Sequence, residues 1–128
     1  MRKYIYLVFF VMTGCAPAWY VQITQSIDEY NAVAHRVRLG DTIDTVRSIL
    51  DPSQMSLATL TRARKQADYY MQDNKSIAIL YYRSGLQGDG LTTDDEFTPY
   101  VFADGQLVSI GWRTLGGPVS IGQVDSHN

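Results

Sequence analysis

Cysteine occurs once in this chain of 128 residues, at Cys15, and histidine twice, at His35 and His127. A single cysteine excludes an internal disulfide, and an exported chain in an oxidising compartment then has no structural thiol pair to form. Neither histidine has a partner at metal-ligand spacing, which excludes a zinc site built on them. The nucleophile-elbow motif of serine hydrolases is also missing, so nothing sets a nucleophile against a base. Long apolar runs are scarce: Tyr4 to Met12 is about half of the roughly 20 residues that cross a bilayer as a helix. An excess of basic charge is lacking too, with 11 Lys and Arg against 13 Asp and Glu. That balance excludes a surface suited to nucleic acid or to acidic headgroups.

What is present begins with a targeting signature. Arg2 and Lys3 precede the apolar run from Tyr4 to Met12, and residues 1–14 read as a cleaved signal peptide that takes no part in the fold. A second reading stays open at this point. Followed past Gly14 through Ala18, Trp19, Tyr20 and Val21, the apolar character reaches spanning length, which describes an uncleaved N-terminal anchor. Thr13-Gly14 and Pro17 interrupt that longer segment. Removing 14 of the 128 residues leaves 114, one ordinary domain. Loss of Arg2 and Lys3 brings the balance to 9 basic against 13 acidic residues, a net charge of -4.

Met12-Thr13-Gly14-Cys15 resembles the lipobox of bacterial lipoproteins, in which small residues precede an obligatory cysteine. Met12 stands where Leu is more usual, and Thr13 where Ala or Ser is. The resemblance implies a diacylglyceryl group on the Cys15 thiol, cleavage between Gly14 and Cys15, and acylation of the new amino terminus. Several acyl chains on one residue hold far more firmly than one, since each buried methylene contributes about 0.8 kcal/mol. Ala16, rather than Asp, follows the cysteine, and the resemblance then implies the outer membrane of a Gram-negative envelope, facing the periplasm.

Residues 15–25 read as a lipidated tether, with Trp19 and Tyr20 either at the bilayer interface or packed on the domain. A single domain is expected over 26–113 and a flexible tail over 114–128. Ser26 and Glu29 have capping-box spacing, and Ile27, Tyr30, Val33, Ala34 and Val37 recur at helical steps, so a first helix is expected from Ser26 to near Gly40. Asp41 or Thr42 caps a second helix with an apolar face of Ile43, Val46, Ile49 and Leu50, stopped by Pro52.

Between Ser53 and Lys75 the pattern permits a helix through Leu57, Leu60, Arg64, Ala67 and Met71, or a strand at Tyr69 to Met71 before an Asp73-Asn74 turn, and the favoured reading is a helix or loop followed by a strand. Arg62, Arg64 and Lys65 form a small basic patch that reads as a solvated face.

From Ser76 the chain is rich in β-formers. Ile77 to Tyr82 reads as a central strand. A polar loop from Ser84 to Asp95 leads to a strand over 97–102, whose first part Pro99 places at an edge. Asp104-Gly105 signals a tight hairpin into Leu107 to Trp112. The expected fold is α+β, two N-terminal helices packed as one layer on a three-stranded antiparallel sheet.

Gly40-Asp41-Thr42, Val46 and Leu50-Asp51-Pro52 resemble the glycine-threonine, valine, leucine-glycine-proline signature of the small SmpA/OmlA-like outer-membrane lipoproteins, with Asp41 and Asp51 as departures. The second half resembles a related uncharacterised lipoprotein family through Tyr81-Tyr82-Arg83, Thr92 to Glu96 with Thr98-Pro99, and Phe102 to Val108. Phe97 stands where that family carries cysteine. The resemblance implies an accessory of outer-membrane assembly or maintenance that binds proteins.

The densest polar feature is the run Asp89, Asp94, Asp95 and Glu96, which Arg83 is placed to pair with. Clustered carboxylates can bind calcium or act as acid and base, though the spacing is not that of an EF-hand. The favoured reading is that they solvate and cap a long β-connection. Tyr69, Tyr70, Tyr81, Tyr82, Tyr100 and Trp112 exceed what one sheet face buries, so alternate rings are expected to point outward, where they suit protein contact. The expectation is therefore a non-enzymatic lipid-anchored binding or scaffolding module with no cofactor, no metal and an envelope protein as partner. The alternative is a ligand- or metal-binding module centred on the loop 89–96.

Overall fold

Pro17 opens the first element. Its φ of -55° and ψ of 145° turn the chain into a helix, and its carbonyl accepts from the N–H groups of Tyr20 and Val21. In the computed structural model, which describes residues 16–60, 63–86 and 94–112, α1 runs Ala18–Val33. The expected start at Ser26 is thus corrected by eight residues, and the segment read as a tether is helical from Ala18 on. Ile23, Ile27 and Tyr30 continue one apolar stripe at steps of four and three, and burial of Ile23 and Tyr30 extends the helix backward past the capping-box pattern. Ser26 is fully buried in mid-helix, and Glu29 accepts from Gln25 Nε2 rather than closing a cap.

The helix also stops short of Gly40. A 3-10 turn, Ala34–Arg36, follows, and Val37 is extended yet buried. Gly40 takes a φ of +93°, a left-handed value that glycine adopts without steric cost. Thr42 then caps α2, Ile43–Leu50, its Oγ1 accepting from the Thr45 N–H at 3.2 Å. Val46 and Leu50 are fully buried. Pro52 ends the α-helix as expected, and a 3-10 helix, Asp51–Leu57, carries the chain on. This segment packs along α1, where Ile23, Leu57 and Ala63 form a satellite cluster and Ser56 Oγ donates to the Gln22 carbonyl.

The sheet has four antiparallel strands in the order β1-β2-β3-β4, a meander: β1 Asp68–Gln72, β2 Lys75–Arg83, β3 Phe97–Ala103 and β4 Gln106–Ile110. The α+β class is as expected, and the strand count is corrected from three to four. The extra strand, β1, is exposed at all five residues, so burial gives it no apolar-polar alternation. Two tight turns set the register. Asp73 and Asn74 both have positive φ, as do Asp104 and Gly105, the arrangement that matches strand twist in two-residue hairpins.

Alternation sorts the faces. Ala78, Leu80, Tyr82, Tyr100, Phe102 and Leu107 meet Tyr30, Val37, Val46 and Leu50 in the main core. Ile77, Ile79 and Val101 form a small cluster on the opposite face. Pro99 lies beyond the end of β4, where its missing N–H breaks no ladder bond, and its carbonyl accepts from Gly111. In β4 the register skips Val108, which bulges outward at 50% exposure.

Truncating the centre of this core has a definite expected outcome. Phe102→Ala removes a fully buried ring and is expected to cost about 3–5 kcal/mol. Val108→Ala, at the bulge, should stay within about 0.5 kcal/mol. Urea unfolding of both variants checks the contrast.

Candidate functional site

The acidic run does not assemble as one cluster. Asp89 lies outside the described residues, as do Gly14 and Cys15. Asp94 to Glu96 form a single 3-10 turn that leads into β3 and sends its side chains apart. Asp94 is exposed and pairs with Lys65 Nζ at 3.0 Å. Asp95 is exposed, while Glu96 is buried and pairs with Arg83 Nη1 at 3.4 Å. Arg83 does meet the acidic run, through the buried Glu96. Among the described residues, no three His, Cys, Asp or Glu side chains are grouped to hold a metal ion.

Arg83 is fully buried, and its neighbours explain how a cation stays there. Nε donates to the Ala63 carbonyl at 2.8 Å, Nη1 donates to the Gly85 carbonyl at 3.1 Å, and the guanidinium lies 4.7 Å from the Phe97 ring centroid. Nη2 has no hydrogen-bond partner among the described residues. Burial holds the Arg83 pKa below its ordinary value, opposed by the adjacent Glu96 carboxylate. The Arg83 backbone is held as well, since its N–H donates to Gln54 Oε1 at 3.0 Å and its carbonyl accepts from Gln54 Nε2. The Gln54 amide stands where a neighbouring strand would pair.

A concave site of about 350 Å³ lies beside that contact, between the helical segments and β2. It is lined by Arg47, Asp51, Gln54, Met55 and Ala58 of the helical segments, by Arg64, Lys65 and Ala67, and by Leu80, Tyr81 and Tyr82 of β2. Its groups are tied to one another. Tyr82 OH donates to Asp51 Oδ1 at 2.6 Å, and Arg47 Nη2 donates to Tyr69 OH at 3.0 Å. Lys65 Nζ lies 4.8 Å from the Tyr81 ring centroid. Tyr81 OH donates to Asp68 Oδ2 at 2.6 Å, and its ring stacks on Trp112 at 5.7 Å. Arg64 and Lys65, read from sequence as part of a solvated patch, thus line a cleft with Arg47. The missed signal was Arg47 and Asp51, four apart at the exposed end of α2, which puts opposite charges on one helical face.

The aromatics divide between core and surface. Tyr82 and Tyr100 are buried, edge to face at 5.4 Å, and Tyr100 OH shares a hydrogen bond with Tyr30 OH. Tyr69 and Tyr70 are exposed on β1. Burial raises the pKa of Tyr81, Tyr82 and Tyr100 well above the ordinary phenol value, reinforced by their hydrogen bonds to Asp68, Asp51 and Tyr30.

Together these features define a two-layer α+β domain: a four-stranded meander, helices on one face, and a cation-lined cleft at the sheet's border. Residues 20–116 match the family described as a protein of unknown function, DUF3192, and the chain belongs to that family. No curated protein and no solved structure matches it.

Two outcomes follow. Arg83→Met leaves Glu96 buried without its cation and is expected to cost about 3–5 kcal/mol in urea unfolding, whereas Arg83→Met with Glu96→Leu recovers much of that loss. The tyrosines give the alkaline limit. Unfolded phenols release protons near pH 10 while the folded ones hold them, so the unfolded chain binds fewer protons there. Their contribution is full below pH 10 and is lost as pH rises toward the higher folded values. Melting temperature should fall steadily above about pH 10, and Tyr82→Phe should soften that fall.

Proposed function

We propose that the protein is a lipid-anchored envelope module that binds another protein and catalyses no reaction. The observation that carries this reading is the first turn of α1, where Trp19, Tyr20 and Val21 are 45, 44 and 50% exposed. Large apolar rings at the surface, four and five positions beyond Cys15, suit the headgroup region of a bilayer, where amphipathic aromatics settle. The lipobox resemblance of Met12 to Cys15 supports an acyl anchor at that end, and Ala16 supports the outer membrane, periplasmic side. No helix among the described residues is long and apolar enough to cross a membrane.

The polar groups of the cleft support recognition. Arg47 and Arg64 reach it from two separate segments and offer guanidinium donors at its surface. The resemblance to the SmpA/OmlA-like lipoproteins supports an accessory role in outer-membrane assembly or maintenance. The alternative, a ligand or metal site on the loop 89–96, draws less support, because Asp94 and Glu96 are each engaged by a different cation.

Metabolic labelling with a fatty-acid analogue tests the anchor. Wild type is expected to take up label and sediment with membranes, and Cys15→Ser to lose both; an unlabelled wild type overturns the reading. Crosslinking in intact envelopes tests the module, and recovery of no specific protein partner counts against it.

A further inference from the structure

The two edges of the sheet are treated differently. At β4 the outer edge is closed by the segment before α2: Gly40 N–H donates to the Leu107 carbonyl at 2.7 Å and Leu107 N–H to the Asp41 carbonyl at 2.8 Å, with Thr42 bridged to Gln106. At β1 none of the described residues pairs with the outer edge, and all five of its residues are exposed.

The alternation of an antiparallel ladder identifies the groups that face outward. The Asp73-Asn74 turn closes on Gln72 and Lys75, so Gln72, Tyr70 and Asp68 address β2. The N–H and C=O of Tyr69 and Met71 then point away from it. The same alternation on β2 places the N–H and C=O of Arg83 toward Gln54, as observed.

Open edges are a liability that folded proteins blunt with lysine, proline, bulges or a covering loop. Among Asp68, Tyr69, Tyr70, Met71 and Gln72 there is neither lysine nor proline, and the Asp68 carboxylate is held by Tyr81 OH. Tyr69 and Met71 are instead 63 and 68% exposed. An edge of this kind is a template for an added strand, with main-chain bonds giving affinity and neighbouring pockets giving specificity.

The neighbouring pocket sets the charge of the occupant. Ala67, immediately before β1, lines the cleft, and Arg47 of the cleft donates to Tyr69 of β1. Of the charged groups that line it, Lys65 is paired with Asp94 and Asp51 accepts from Tyr82 OH, which leaves Arg47 and Arg64 as the cations that face an incoming segment, in a chain whose overall charge is negative. Met55, 73% exposed on the cleft wall, adds a flexible apolar contact of the kind that adapts to peptide side chains. A second copy of β1 brings no complementary charge beyond an already engaged Asp68, and a lipid headgroup offers no backbone to pair with Tyr69 and Met71.

We infer that β1 and the adjoining cleft form a docking edge for an extended acidic segment of a partner protein, which adds as a fifth strand and directs carboxylates to Arg47 and Arg64. The inference rests on the protein-binding reading above and does not require the lipid at Cys15.

The test is fluorescence anisotropy of the full-length chain in detergent with a labelled peptide of alternating glutamate and valine. Saturable binding is expected, weakened about tenfold or more by Met71→Pro, which deletes one outward N–H and no β1–β2 bond, and little changed by Met71→Ala. Arg47→Glu with Arg64→Glu should abolish binding. Should Met71→Pro disturb folding, a probe N-methylated at alternate residues must lose binding to the unaltered protein.

Equal binding of a lysine-valine peptide, or indifference to both N–H deletions, overturns the inference. So does wild-type self-association that Met71→Pro dissolves, or capture by vesicles of phosphatidylethanolamine and cardiolipin with no peptide binding. If a partner still crosslinks in envelopes while the peptide fails, strand addition alone falls; if no partner crosslinks, the module reading falls with it.

Discussion

Strand β2 is the element whose register everything else inherits. It pairs on both sides, with β1 through five residue pairs and with β3 through seven. Ala78, Leu80 and Tyr82 face the helices, while Ile77 and Ile79 lie on the other face. A slip of one residue would exchange these sets and turn the ring of Tyr82 away from Asp51. The two-residue turn with left-handed backbone at Asp73-Asn74 prevents that slip against β1, and against β3 Asp104 does so, its N–H donating to the Ser76 carbonyl and its Oδ1 accepting from the Ser76 N–H. At its end, the buried pair Arg83 and Glu96 joins the exit of β2 to the start of β3, and the Gln54 amide closes the backbone there.

Much of this frame is legible because local chemistry and tertiary structure ask for the same residues. Thr42 is a good cap and is the cap; Val46 and Leu50 are apolar at helical spacing and reach the core; Gly40 is the residue that turns at positive φ. The run from Gly40 to Pro52, expected from sequence to follow a lipoprotein-family pattern, therefore has a structural explanation, from the turn at Gly40 to the stop at Pro52. Such a motif carries fold information readily and functional information poorly. Asp51, a departure from that pattern, has a local role of its own in accepting from Tyr82 OH.

Where the reading failed, a local signal competed with a distant one. Ser26 and Glu29 have the spacing of a cap, but packing of Ile23 on Leu57 and Ala63 extends the helix back to Ala18. That contact joins residues more than thirty positions apart and leaves no trace in a local window. Strand β1 was ambiguous because its neighbour is solvent, so burial imposed no period on it. For the carboxylates, read chiefly as solvating and capping a connection, sequence proximity could not show that Asp94 faces outward to Lys65 while Glu96 turns inward to Arg83. The cleft was illegible for the converse reason: Arg47, Arg64 and Lys65 come from two segments that only the fold brings together.

The same physics accounts for the asymmetry between the sheet's edges. Closing β4 requires the chain between α1 and α2 to pass alongside it, and the left-handed Gly40 lets that segment pair with Leu107 before α2 begins. The helices are thereby committed to that side of the sheet and to the face above Ala78, Leu80 and Phe102. Beyond β1, the 3-10 helix reaches the sheet at Tyr82, through Asp51, and at Arg83, where Gln54 substitutes for a strand. A fold that spends one helical connection on sealing one edge leaves the other to side-chain chemistry, and that chemistry is exposed tyrosine and methionine beside a cationic cleft.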